Sequence, residues 1–245
     1  MVLTEQGKVI AANVREALAL IEDATSGKTT FQPEVSTRQF TIVASESTAA
    51  RFMSRLVHII EREAPHASIV LRSAAGAKLG EWFDTGEIDL MVGYSHAPTE
   101  KLFRTVLGSQ ELCVIARRGH PAIDGHISLA QYLDHRHVYF GSDITGTLEH
   151  LVDACLKRMR HSRKIACTVP NLSLTPDIVS QTDFIATVPA RIVRESPLRD
   201  RLQMLGLPLP IGQINVSMVW HRRSHHDSAH RWLRAKVKAI FQAAP

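Results

Sequence analysis

Long hydrophobic runs are missing from this 245-residue chain. No stretch approaches the roughly 18–20 apolar residues of a membrane-spanning helix, so no membrane partner is expected. The first residues carry Glu5, Glu16 and Glu22. They lack a basic segment leading into a compact apolar one, and so do not read as an export signal. Cysteine is scarce. Cys113, Cys155 and Cys167 form an odd set without metal-ligand spacing, which points to buried free thiols in a reducing, cytoplasmic setting. Low-complexity tracts are absent and charged residues make up 22% of the chain, which argues against disorder. Enzyme signatures are absent too. There is no G-x-S-x-G elbow, no H-E-x-x-H, no phosphate-binding G-x-x-x-x-G-K-[ST] loop and no G-x-G-x-x-G. No catalysis and no cofactor are therefore expected.

What is present is a 44% hydrophobic composition, enough for one large lobe or two modest ones, and a formal charge of +5. The basic excess permits nucleic-acid contact without requiring it. Two clusters carry much of it: Lys157-Arg158-Met159-Arg160-His161-Ser162-Arg163-Lys164 and His221-Arg222-Arg223-Ser224-His225-His226. Both read first as solvated faces, with a nucleic-acid or partner patch as the alternative. His226 and His230 are four apart and would share a helix face, but no third ligand accompanies them, so no metal site is expected.

Periodicity supplies the organisation. Ile10, Val14, Ala17, Leu18 and Ile21 make a narrow seam on a helix over residues 5–23, suited to a partner helix or to its own domain. Gly, Thr, Pro and Ser over 27–36 read as a hinge. Strands are then expected at 40–45, 68–72 and 88–94. Helices at 47–64, stopped by Pro65, and around Leu79, Trp82 and Phe83 alternate with them, with Gly86 ending the second. This order predicts a parallel sheet. A strand over 111–117 is expected to leave the first lobe. A second α/β set follows, with strands at 137–140, 165–169 and 183–188, before a strand at 214–220 returns and a helix over 228–243 closes the chain.

Several segments carry a family resemblance. They are Leu3-Thr4-Glu5-Gln6-Gly7, Phe40-Thr41-Ile42-Val43-Ala44-Ser45, and the run from Leu79-Gly80-Glu81-Trp82-Phe83 to Gly86-Glu87-Ile88-Asp89-Leu90. Gly119-His120-Pro121 and Phe184-Ile185-Ala186-Thr187-Val188-Pro189-Ala190-Arg191 follow in the same order. Together they resemble the LysR-type transcription regulators, and the 182–191 run with Trp220 and Trp232-Leu233-Arg234 is most similar to the branch responsive to aromatic acids and flavonoids. The resemblance implies an α/β fold: a two-lobed, periplasmic-binding-protein-like clamshell preceded by a linker helix. It implies a linker at 1–30, one lobe from 38–112 with 220–245, and a second from 113–219. The expected function is that of a cytoplasmic sensing and oligomerisation region, forming dimers or tetramers. The family's helix-turn-helix would lie before Leu3, so promoter DNA is expected as a partner only of a form that carries it. A free-standing solute-binding protein is the alternative.

The expected effector is a small aromatic carboxylate held between the lobes, because ligands in such folds sit beyond the carboxyl ends of strands. Ser45, Ser47 and Thr48 open a helix there and offer hydroxyls and amides to an anion, with ordinary helix capping as the competing use. Ala75 and Gly76 would let a ligand approach the backbone, or simply form a turn. His96 offers a hydrogen bond or a surface loop side chain. Ser142 follows the second lobe's first strand, where capping by Asp143 competes. By family position Pro170, Asn171 and Leu172 face the ligand, with two apolar walls and one amide.

Overall fold

The computed structural model describes residues 10, 13, 14, 17, 18, 31–73, 79–94, 100–140 and 148–243. Ile10, Val14, Ala17 and Leu18 of the expected seam are helical and exposed. Ile21 and the rest of that helix lie outside the described residues.

In chain order the elements are β1 (Gln39–Ala44), α1 (Glu46–Glu63), β2 (Ser68–Ser73), α2 (Leu79–Thr85), β3 (Leu90–Gly93), β4 (Leu102–Gln110) and β5 (Leu112–Arg117). Then come α3 (Leu129–Asp134), β6 (Arg136–Phe140), α4 (Leu148–Arg158), β7 (Lys164–Val169), α5 (Thr175–Gln181), β8 (Ala186–Pro189), α6 (Ala190–Arg194), β9 (Leu202–Gly206), β10 (Ile214–His221) and α7 (Ser228–Gln242). Two compact units result. Unit 1 comprises Met1–Leu107 and Ser217–Pro245, and unit 2 is Gly108–Val216. The boundaries fall inside β4 and β10.

Unit 1 is built on the sheet order β2-β1-β3-β10-β4. β1 runs parallel to both β2 and β3, as the alternation of strands and helices predicts, while β10 pairs antiparallel with β3. Phe40, Ile42, Val43 and Ala44 are all buried because β1 is an interior strand, between β2 and β3, with apolar side chains buried on both faces. Helix α1 turns Ala49, Phe52, Leu56 and Ile60 inward at helical spacing. It meets α7, where Phe52 and Phe241 lie 5.8 Å apart between ring centres. Gly86 ends α2 with φ +80, a left-handed conformation that favours glycine; a Cβ there would stand 2.9 Å from the Arg223 guanidinium, the mobile end of a long side chain.

Unit 2 holds the antiparallel sheet β8-β5-β9 and the parallel pair β6-β7. A single bridge between His137 and Ile185 leads from β6 toward β8. Cys113, Ile115, Val138, Val188 and Leu202 share its core. Two strands differ from expectation. The segment that passes between units is β4, whereas β5, expected to leave the first lobe, lies wholly in unit 2. β4 is hard to read because Phe103 and Val106 are 42% and 46% exposed, which blurs its alternation. β9 is short and buries only Leu202 and Leu205, three apart, a spacing that does not announce a strand.

Candidate ligand site

The register brings the ends of the first three strands, with Ser45, Ser47 and Thr48 directly after β1, to one end of the sheet. Ala44 is level with Ser73 on β2 and with Val92 on β3, so the three carboxyl ends finish together. At that end Ser45 caps α1, its Oγ accepting from the Thr48 amide at 3.4 Å. The expected competition between capping and ligand contact resolves into a small hydroxyl cluster. Ser45 Oγ donates to Thr48 Oγ1 at 3.0 Å and lies 3.3 Å from Ser47 Oγ. Because Ser45 gives its proton to Thr48, the Thr48 proton is left without a bonded acceptor among the described residues. Ser47 and Thr48 are only 8% and 2% exposed. The first amides of α1 have no intrahelical carbonyl to bond, and the positive helix end adds to their preference for an anion. Glu46 is exposed, so its charge is screened by water.

Tyr94 follows β3 at the same end. Its hydroxyl is buried without a hydrogen-bond partner among the described residues, and burial raises its pKa, so it is a neutral donor. Sequence reasoning marked it only as a strand end, since nothing in the residue itself reveals an unpartnered hydroxyl. Ala75, Gly76 and His96 lie outside the described residues, as does Ser142 in unit 2.

In unit 2, Phe140 and Val169 are level at the ends of β6 and β7. The loop after β7 exposes Pro170 and Asn171. Asn171 stands at the start of a short 3-10 turn, Leu172–Leu174, and its side chain does not cap that turn. Leu172, expected as an apolar wall, is instead 3% exposed and packed in the unit 2 core. The turn explains this: it rotates Leu172 inward while leaving Asn171 out. Thr175, at the start of α5, is fully buried with an unpartnered Oγ1.

The basic clusters are partly structural. Arg163, expected on a solvated face, has a side chain 1% exposed, with Nη1 2.6 Å from Glu149 Oε2 and Nε 3.0 Å from Asp153. Burial pushes the Glu149 carboxyl up to about 7, with Arg163 pulling the other way. Burial alone would lower Arg163, but Glu149, Tyr132 and Asp153 raise it, so the guanidinium stays charged. His137 is fully buried beside them, with Nε2 2.7 Å from the Tyr132 carbonyl, and burial lowers its pKa to about 4. In unit 1, His230 is also fully buried. Arg234 Nη1, 2.6 Å from His230 Nδ1, can only donate. His230 therefore accepts there and donates from Nε2 to the Asp89 carbonyl at 2.8 Å. Its ring has no lone pair left for a metal shared with His226. No group of three or more His, Cys, Asp or Glu side chains is placed to hold a metal among the described residues. The cysteines are free, Cys113 and Cys155 buried and Cys167 half-buried.

Two α/β units, each with polar groups gathered at the carboxyl ends of its strands, offer the places where such folds receive a ligand. Comparison with known proteins gives the chain a family. Residues 33–242 match the LysR substrate binding domain, and the chain belongs to that family. It is 28% identical over 233 residues to the HTH-type transcriptional activator NahR of Pseudomonas putida, spanning 95% of this chain and 77% of the relative. A solved structure of a probable transcriptional regulator from Pseudomonas aeruginosa is similar, with a TM-score of 0.77, 25% identity and coverage of 96% and 78%. The effector-binding domain of BenM with its effector benzoate shares the fold, with a TM-score of 0.67 at 18% identity, covering 84% of this chain and 92% of that one. The fold is thus the two-lobed, periplasmic-binding-protein-like one, and the chain carries the ligand-sensing region of a LysR-type regulator.

Proposed function

We propose that the effector is a small aromatic carboxylate and that its anionic end is received in unit 1 by Ser45, Ser47 and Thr48. The observation that carries this is the direction of the hydroxyl bonds: Ser45 donates to Thr48, which frees the buried Thr48 proton for a ligand oxygen. The amides of the first turn of α1 add further donors. In unit 2 the exposed Pro170 and Asn171 are the contacts for the ring and its substituents. Ala75, Gly76, His96 and Ser142 belong to the same proposal by their place after strands. BenM is known with benzoate, which supports the ligand class.

A role in the cytoplasm and an absence of catalysis are part of this reading, supported by relatives that regulate transcription. None of the described helices is long and apolar enough to cross a membrane. Promoter DNA enters as a partner of a chain that carries the helix-turn-helix reader. Self-association into dimers or tetramers is supported by exposed apolar side chains at two sheet edges. Val57, Val70 and Leu71 stand out on α1 and the edge strand β2 of unit 1, and Leu151 and Ile165 on α4 and the edge strand β7 of unit 2. The seam of Ile10, Val14 and Leu18 is exposed in the same way.

Calorimetry against a panel of aromatic carboxylates tests the site. A genuine ligand should lose about 1–3 kcal/mol of affinity on Thr48→Val, which keeps the volume and removes the donor, and a comparable amount on Asn171→Ala. Unchanged affinity in both variants would show that the ligand binds elsewhere.

A further inference from the structure

Unit 2 carries a second feature, unconnected with the ligand loops. β9 is the last strand in the order β8-β5-β9 and pairs only with β5 among the described residues. In an antiparallel pair about half of a strand's amides and carbonyls point away from its partner. The outer edge of β9 is therefore a short row of unpaired donors and acceptors. Natural edge strands are usually blunted by proline or charge. β9 reads Leu202-Gln203-Met204-Leu205-Gly206 and has neither, and Met204 is 46% exposed.

A groove of about 710 Å³ lies along this strand. Its apolar floor includes Val193, Leu202 and Leu205, all at most 4% exposed. Its wall is held by one side chain. Gln203 accepts from the Gly125 amide at 2.9 Å and donates to the carbonyls of Arg117 at 2.9 Å and Ile123 at 3.0 Å. Three arginines rim the groove, outnumbering Asp124 and Asp200. Arg194 and Arg199 are 61% and 67% exposed and only loosely paired, 3.8 Å from Glu111 and 3.9 Å from Asp200. Arg118 is exposed and has no carboxylate partner among the described residues.

We propose that this face docks an extended segment of a partner protein bearing acidic side chains, which adds a strand to the outer edge of β9. Main-chain bonds to the edge supply the pairing, apolar side chains fill the floor, and acidic ones meet the arginines. A second copy of this chain is disfavoured because it would bring another set of the same arginines to one short edge.

The test uses the whole chain and a fluorescein-labelled peptide of about ten residues alternating Val and Glu, with a Val and Lys peptide as control. Saturable, salt-sensitive anisotropy is expected for the first and none for the second. Arg118→Glu with Arg194→Glu should weaken it by about tenfold or more. Met204→Glu, which sets a charge of the peptide's own sign at the edge without touching the core, should also weaken it. Hydrogen exchange should show new protection in β9. The proposal is overturned by no binding of the acidic peptide, by equal binding of the lysine peptide, by indifference to the arginine reversal, or by protection at β2 or β7 instead. It is overturned as well if Met204→Glu lowers the oligomeric state, which would assign the edge to a second copy.

Discussion

The Arg38 cluster that ties unit 1 together reaches solvent, whereas the Glu149–Arg163 pair of unit 2 is sealed in. Arg38, at the start of the sheet, bonds Asp227 at 2.8 and 3.0 Å and Asp89 at 3.2 Å, with side chains 20–36% exposed. Glu149 and Arg163 in unit 2 are each 1% exposed. The same chemistry therefore has different consequences. An ion pair in contact with water adds little and can be lost cheaply. A buried pair adds little beyond an apolar pair of equal shape, but losing one partner strands a charge without water.

The largest expected effect follows. Arg163→Met should destabilise unit 2 by about 3–5 kcal/mol, read by native-state hydrogen exchange of Val114 and Ile115 amides. Combining it with Glu149→Leu should restore most of the loss. A loss under about 1 kcal/mol for the single variant would break the contrast between units.

Acid should separate the units next. Burial holds His137 near 4, below its free value of about 6.5, so its contribution is present above pH 6.5 and lost as pH falls toward 4. Glu149, raised to about 7, acts with opposite sign: its contribution is full below about 4.5 and lost as pH rises to 7. In unit 2 the two offset each other between pH 4.5 and 6.5, so stability there should be nearly flat. His230 in unit 1 is likewise lowered by burial, while Asp227 is lowered by Arg38 despite its burial. Both make unit 1 weaker as pH falls. The three tryptophans, Trp82, Trp220 and Trp232, all lie in unit 1, so urea unfolding by their fluorescence reports that unit. Its midpoint should drop between pH 6.5 and 5. His137→Asn should unmask Glu149 and make unit 2 more stable at pH 5 than at pH 7, by about 2–3 kcal/mol. A flat profile in that variant would remove the offset as an explanation.

The smaller effects test the exposed fastening. Asp227→Ala removes both the Arg38 partner and the cap on the His230 amide, 2.6 Å away, and should lower the tryptophan-reported stability by about 1–2 kcal/mol. Arg38→Gln keeps the cap and should lower it by about 1 kcal/mol or less, vanishing in high salt. A larger loss for Arg38→Gln than for Asp227→Ala would reverse the order of cap and ion pair.

Legibility in the sequence followed how local the cause was. β1, α1 and α7 were readable because their apolar side chains recur at the spacing of a strand or a helix over many residues. Ser45 and Asn171 could be placed after strands for the same reason. Tyr94 and Thr175 could not be singled out, since an unpartnered hydroxyl is a property of its surroundings. Leu172 was misjudged because a three-residue turn decides which way it faces. Arg163 was misjudged because a charge run reads as solvated until a distant carboxylate is found beside it.

The sequence by itself determined the α/β class, the family and the strand ends at which polar residues gather, because periodicity and motif order are written in neighbouring residues. Only the tertiary structure decided which strand passes between units, which histidine and arginine are buried, and which hydroxyl proton is left free. Each of these depends on groups brought together from far along the chain, Arg38 to Asp227 and Tyr132 to Thr187 among them. Burial and hydrogen-bond direction exist only once that packing has formed.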